Sequence, residues 1–168
     1  MIYVVYADWT VNSCGANCLC ELDSSIKYSG VSSYKNRIYR YNAGASANYL
    51  THNTFLESQA QIILWTRIDN LPTNSRMEVN LSTYGYLSVT PDIINDWQKF
   101  KAEFWYDISS NTRWGRVYKW NGSAWAQEGT DTNFGTGSPS AGDLVLRSYL
   151  ASYTHTVNYW FDEVEVYS

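Results

Sequence analysis

Between residues 97 and 120, in WQKFKAEFWYDISSNTRWGRVYKW, aromatic and charged side chains alternate in a pattern suited to recognising sugars. Successive side chains of a strand point to opposite faces, so a strand over 113–120 places Trp114, Arg116, Tyr118 and Trp120 together. Over 97–108, Phe100, Ala102, Phe104, Tyr106 and Ile108 form an apolar side, and Trp97, Lys99, Lys101, Glu103 and Trp105 the opposite one. If the two strands form a hairpin, Trp105, Trp114, Tyr118 and Trp120 offer flat rings to the apolar faces of pyranoses. Arg116 and Glu103 would then fix hydroxyls by hydrogen bonds. The same rings also suit the core of an aromatic-rich sheet, so packing and binding compete for each of them.

A second chemical question comes from the closing residues, WFDEVEVYS. Simple alternation sets Asp162 beside Trp160, Val164 and Val166, and Glu163 and Glu165 on the other side with Phe161 and Tyr167. A carboxylate on an apolar side needs hydrogen-bond donors, a cation or a place at the rim of the sheet. All three cysteines lie in CGANCLC, as Cys14, Cys18 and Cys20. This cluster reads as a small disulfide loop from Cys14 to Cys18 or Cys20, as thiols, or as part of a zinc site. The two histidines, His52 and His155, stand in no recognisable metal spacing.

These residues must be positioned by short strands. The 168 residues suit a single domain, 1–168, and contain almost no helical periodicity. Runs of β-branched and aromatic residues recur about every ten positions between Gly, Asn, Ser and Pro. Strands are expected at 3–6, 18–22, 33–41, 60–68, 76–82, 86–89, 97–108, 113–120, 124–128, 143–150 and 157–167. The polar, Gly-rich stretch 129–142 is expected to be a long loop. This is the pattern of an all-β, antiparallel β-sandwich of jelly-roll type.

Composition narrows the function. Charged residues are 17%, aromatic residues 17%, and the formal charge is −4. Phosphate binding rests on clustered Lys and Arg, so nucleic acid is not an expected partner. No stretch approaches the roughly 20 apolar residues that cross a bilayer, so no membrane span is expected. The start, MIYVVYADW, lacks the basic and long apolar regions of a secretory signal.

Several segments resemble one family. ELDSSIKYSGVSSYKNRIY is similar to the stretch joining the second and third strands of concanavalin A-like sandwiches and jelly-roll carbohydrate-binding modules. DWQKFKAEFWYD, RVYKWNGSAW and YWFDEVEVY are similar to their later strands. The resemblance implies a structural Ca²⁺, held by Asp162 with Asp23 or Asp8. Hydrogen bonds from the DSSIKYSG backbone would satisfy Asp162 equally well.

The same architecture hosts glycosidases and lyases, whose signatures are broken here. The glucanase pattern Glu-x-Asp-x-x-Glu starts at Glu21 but ends on Ile26, and the lyase pattern Gln-x-His starts at Gln61 but ends on Ile63. The expected function is therefore a non-catalytic, lectin-like module on an extracellular surface, with a polysaccharide or glycan as partner. The alternative is a structural assembly protein, a virion decoration or appendage subunit, acting as a homo-oligomer or with an assembly partner.

Overall fold

Strands with one apolar side can bury it only by pairing into sheets that face each other. The computed structural model describes residues 10–14, 18–30, 32–38, 45–55, 59–82, 84–140, 142–150 and 156–167, and for 10–14 and 45–55 the backbone alone. These residues contain twelve strands and no helix: β1 Thr10–Cys14, β2 Cys18–Asp23, β3 Ser33–Ile38, β4 Ala45–Phe55, β5 Gln59–Ile68, β6 Ser75–Leu81, β7 Gly85–Ser88, β8 Gln98–Asp107, β9 Thr112–Trp120, β10 Trp125–Thr136, β11 Gly142–Leu150 and β12 Val157–Tyr167. One sheet has the order β1-β4-β11-β6-β7 and the other β10-β9-β8-β5-β12-β3-β2. Every pairing is antiparallel.

The core lies between the sheets. Ile62, Leu64, Phe104, Tyr159 and Phe161 of the seven-stranded sheet meet Met77, Val79, Leu144 and Leu146 of the five-stranded sheet in one buried cluster. Burying each large apolar side chain stabilises the fold by about 1.5–3 kcal/mol. Across this core Asn36 of β3 donates to Ser148 of β11 at 2.9 Å, joining the sheets through two fully buried side chains.

Two expectations from the sequence need correction. Strands at 10–14 and 45–55 were not anticipated, because TVNSC and ASANYLTHNTF are largely polar. Much of the stretch expected to be a loop, 129–136, belongs to β10. β10 is an edge strand whose side chains are mostly exposed, so it shows no apolar alternation. It also bulges, with three residues between Glu128 and Thr132 opposite the single Arg116 between Val117 and Gly115. The segment 3–6 lies outside the described residues.

Phe134 of β10, like Trp125 at its start, is partly buried. Its ring packs against Phe104 at 5.9 Å and edge-on to Tyr84 at 6.4 Å, plugging the end of the core. It can do so because Gly115 has no side chain: a Cβ there would meet the Phe134 ring at 2.7 Å and the Glu103 carbonyl at 3.1 Å. Gly115→Ala is therefore expected to destabilise the fold by about 1–3 kcal/mol through overpacking. A thermal or urea melt checks this, with Phe134→Leu restoring part of the loss in the double variant.

Candidate functional site

Burial of one side of each strand fixes what the other side displays. In the seven-stranded sheet Gly115, Phe104 and Ala60 pair across β9, β8 and β5, and Val117, Ala102, Ile62 and Val166 extend the next inner row to β12. Between these inner rows the register sets Arg116, Glu103, Gln61 and Tyr167 in one outward row across four strands. With strands about 4.8 Å apart, the row spans roughly 14 Å.

This row crosses a slot of about 470 Å³ lined by Gln59, Gln61, Glu103, Trp105, Arg116 and Tyr167. The volume falls in the range of small-molecule sites. Glu103 is its hub: Gln61 Nε2 donates to Oε1 at 3.0 Å, Lys101 Nζ stands 2.8 Å from the same oxygen, and Arg116 Nε lies 4.0 Å from Oε2. Arg116 also donates to the Tyr118 hydroxyl at 3.3 Å and pairs with Asp131 of β10 at 3.2 Å. The Tyr118 bond, followed by the Asp131 and Glu103 charges, raises the Arg116 pKa despite its burial. The guanidinium lies 4.2 Å from the centre of the Trp105 ring, and Trp105 stacks with Trp114 at 6.4 Å and 14°. Tyr167 donates its hydroxyl to Glu165.

Of the six residues expected to bind glycan, Glu103, Trp105 and Arg116 line the slot, and Trp114 flanks it through Trp105. Tyr118 lies one row further along, beneath Lys101 at 4.1 Å. Trp120 lies at the end of β9, edge-on to Trp125 at 5.4 Å, and is not part of the slot. Lys101, expected on this face but not named as a binding residue, completes the arrangement with Gln59, Asp131 and Tyr167, which were not anticipated. Gln61 was noted only as the start of a broken lyase motif. A second groove of about 620 Å³ opens where the four-residue β7 leaves β10 uncovered, with Tyr86, Thr90, Thr130 and Thr132 among its lining.

The other half of this face is covered by the loop 24–30. Tyr28 stacks on Trp65 at 3.7 Å and 17°, and its edge meets Trp97 at 6.2 Å. The loop is tied down by Asp162, whose Oδ2 accepts the Tyr28 and Ser29 amides at 2.7 and 3.2 Å. Asp162 does not share a side with Val164 and Val166, as alternation alone suggests. A β-bulge sets Glu163 and Val164 opposite Leu64, with Glu163 at φ 45°. The extra residue turns Val166 into the core and leaves Asp162, Glu165 and Tyr167 facing outward.

Asp23 is held just as closely. Its Oδ1 accepts the Ser25 hydroxyl and the Ser25 and Ile26 amides, and its Oδ2 meets Trp160 Nε1 at 3.0 Å and Lys35 Nζ at 3.2 Å. Burial alone would raise this carboxyl, but the bonds from Ser25, Trp160 and the Ile26 amide outweigh it and hold the pKa well below the ordinary 3.8. Ca²⁺ takes six to eight oxygens, whereas both carboxylates here face N–H, hydroxyl and ammonium donors. Asp23 and Asp162 as arranged do not fit the calcium implied by the resemblance, and no group of three His, Cys, Asp or Glu among the described residues is placed to hold a metal. Asp8 lies outside the described residues, as does the side chain of Cys14. Cys18 and Cys20 pack against the core from one side of β2.

Two melts check this account. The melting temperature is expected to be unchanged by calcium or chelator, while Asp162→Ala costs about 1–3 kcal/mol by leaving amides without an acceptor. A calcium-dependent rise that Asp162→Asn abolishes would contradict it. Because the Asp23 pKa is lowered in the folded state, its contribution is complete above about pH 4 and is lost as pH falls through the folded value. Asp23→Asn is therefore expected to flatten the loss of stability below pH 4.

No family model matches this chain, and no curated protein does. Solved structures do. The endo-β-1,4-glucuronan lyase of the fungus Trichoderma reesei superposes with a TM-score of 0.63 at 9% identity, covering 99% of this chain and 93% of the lyase. The cellulose induced protein Cip1 gives 0.59 at 15% identity, over 94% and 90% of the two chains. The family 30 carbohydrate-binding module of a Clostridium thermocellum cellulosomal cellulase gives 0.52 at 12%, over 100% and 98%. At these identities the likeness is one of fold, and the chain has the concanavalin A-like, jelly-roll β-sandwich fold.

Proposed function

We propose that this chain is a non-catalytic carbohydrate-binding module that holds a glycan against the outer face of its seven-stranded sheet. The observation that carries the reading is the slot itself, in which an Arg, Glu, Gln and Tyr row crosses four strands beside the stacked pair Trp105 and Trp114. A sugar ring presents hydroxyls at its edge and C–H groups on its faces. A slot with polar groups along one line and indole rings at its end can meet both. The likeness in fold to a carbohydrate-binding module supports the reading. An extracellular setting belongs to the same proposal.

The likeness to a glucuronan lyase raises the catalytic alternative. The outward neighbour of Gln61 on β5 is Ile63, which pairs with Lys101 and Glu165, so an apolar side chain stands where the Gln-x-His pattern has its imidazole. This favours binding without turnover.

Tryptophan fluorescence titration, after a glycan array has supplied a ligand, tests the site. Trp105→Ala and Trp114→Ala are each expected to weaken binding roughly tenfold, about 1.4 kcal/mol, while Tyr86→Ala on the opposite sheet leaves it unchanged. Unsaturated products are not expected when the protein is incubated with polyuronates. Their release, lost in Gln61→Ala, would establish the lyase alternative.

A further inference from the structure

The pattern of donors and acceptors in the slot identifies the class of glycan, on the reading just given that the slot binds one. Most of its donors are already directed at protein acceptors; Arg116 Nε, 4.0 Å from Glu103, has no hydrogen-bond partner but is itself buried. Gln61 Nε2 and Lys101 Nζ point at Glu103, the Arg116 terminal nitrogens point at Tyr118 and Asp131, and the Tyr167 hydroxyl points at Glu165. What remains turned outward is largely acceptor: carboxylate oxygens and the Gln61 carbonyl. A sugar hydroxyl can donate to such groups, whereas an ionised carboxylate or sulfate carries acceptors only.

Charge points the same way. Arg116 and Lys101 are matched by two carboxylates, Glu103 and Asp131, so the row carries no net positive charge for an anion to meet. Lys99, the next cation along β8, lies over Trp65 at 5.6 Å, beside the ring on which Tyr28 is stacked. A uronate would have to displace Glu103 or Asp131 from its cation, leaving a carboxylate unpaired beside the incoming anion.

We propose that the slot selects uncharged, hydroxyl-rich glycans and rejects polyuronates, with Glu103 and Asp131 as the residues that set this selectivity. The proposal separates the chain from the glucuronan lyase whose fold it shares.

Affinity electrophoresis of the intact protein tests this on two sets of soluble polymers. One set is neutral (β-glucan, xylan, galactomannan) and the other acidic (polyglucuronate, polygalacturonate). Retardation is expected in at least one neutral polymer, unchanged between low and high salt and reduced by Trp105→Ala, with none in the polyuronates. Asp131→Asn, on the exposed edge strand, and Glu103→Gln are each expected to bring measurable retardation by polyglucuronate where the wild type shows none, with melting curves confirming that both variants fold. Salt-sensitive retardation by a polyuronate in the wild type, lost in Arg116→Ala, would overturn the proposal and leave glycan binding standing. Retardation by none of the polymers, together with a glycan array that yields no ligand, would overturn it along with the reading on which it rests.

Discussion

The two-residue repeat of the strands is the constraint on which everything else in this molecule depends. Once Gly115, Phe104 and Ala60 in one row, and Val117, Ala102, Ile62 and Val166 in the next, are committed to the core, the residues between them have no choice of face. A slip of β8 by one residue against β5 would bury Glu103 and expose Phe104 and Ala102. The apolar inner rows therefore hold the polar outer row in register. The site inherits its geometry from the core, and Phe134, seated over Gly115, extends that core almost to the edge of the sheet.

One irregularity is superimposed on this regular pattern. The bulge at Glu163 lets β12 serve both faces: upstream of it Tyr159 and Phe161 fill the core, and downstream Val166 does so while Tyr167 reaches the slot. A non-glycine residue at positive φ is uncommon and is kept only where the surroundings hold it. Here Ser29 donates to the Glu163 carboxylate and Asp162 accepts the Glu163 amide at 2.8 Å. The same two residues anchor the loop that covers Trp65. The bulge thus divides the face into a covered half and an open half, and the open half contains the slot.

How much of this could be read from the sequence depended on how regular each element is. β8 and β9 alternate without interruption, so their shared face, with Glu103, Trp105, Trp114 and Arg116, was legible. Asp162 was recognised as a carboxylate needing partners, and the amides of DSSIKYSG were named as one source. Its facing was misread because a bulge leaves no mark in composition. β10 was missed beyond residue 128 because an edge strand exposed on both sides has no apolar period, and Asp131 was lost with it. Tyr167 and Gln61 lie 106 positions apart in the chain and meet only through pairing of β12 with β5, which no local pattern encodes.

The central claim is that ligand meets this face of the seven-stranded sheet at the slot. The most direct test is to follow the indole N–H resonances of ¹⁵N-labelled tryptophan during titration with a bound glycan, assigned by single Trp→Phe replacements. The account requires the Trp105 and Trp114 signals to move together and saturate, while Trp160, buried beneath Lys35 and Arg67, stays in place. Saturable binding that leaves Trp105 and Trp114 unmoved would contradict it and place the ligand elsewhere on the sandwich.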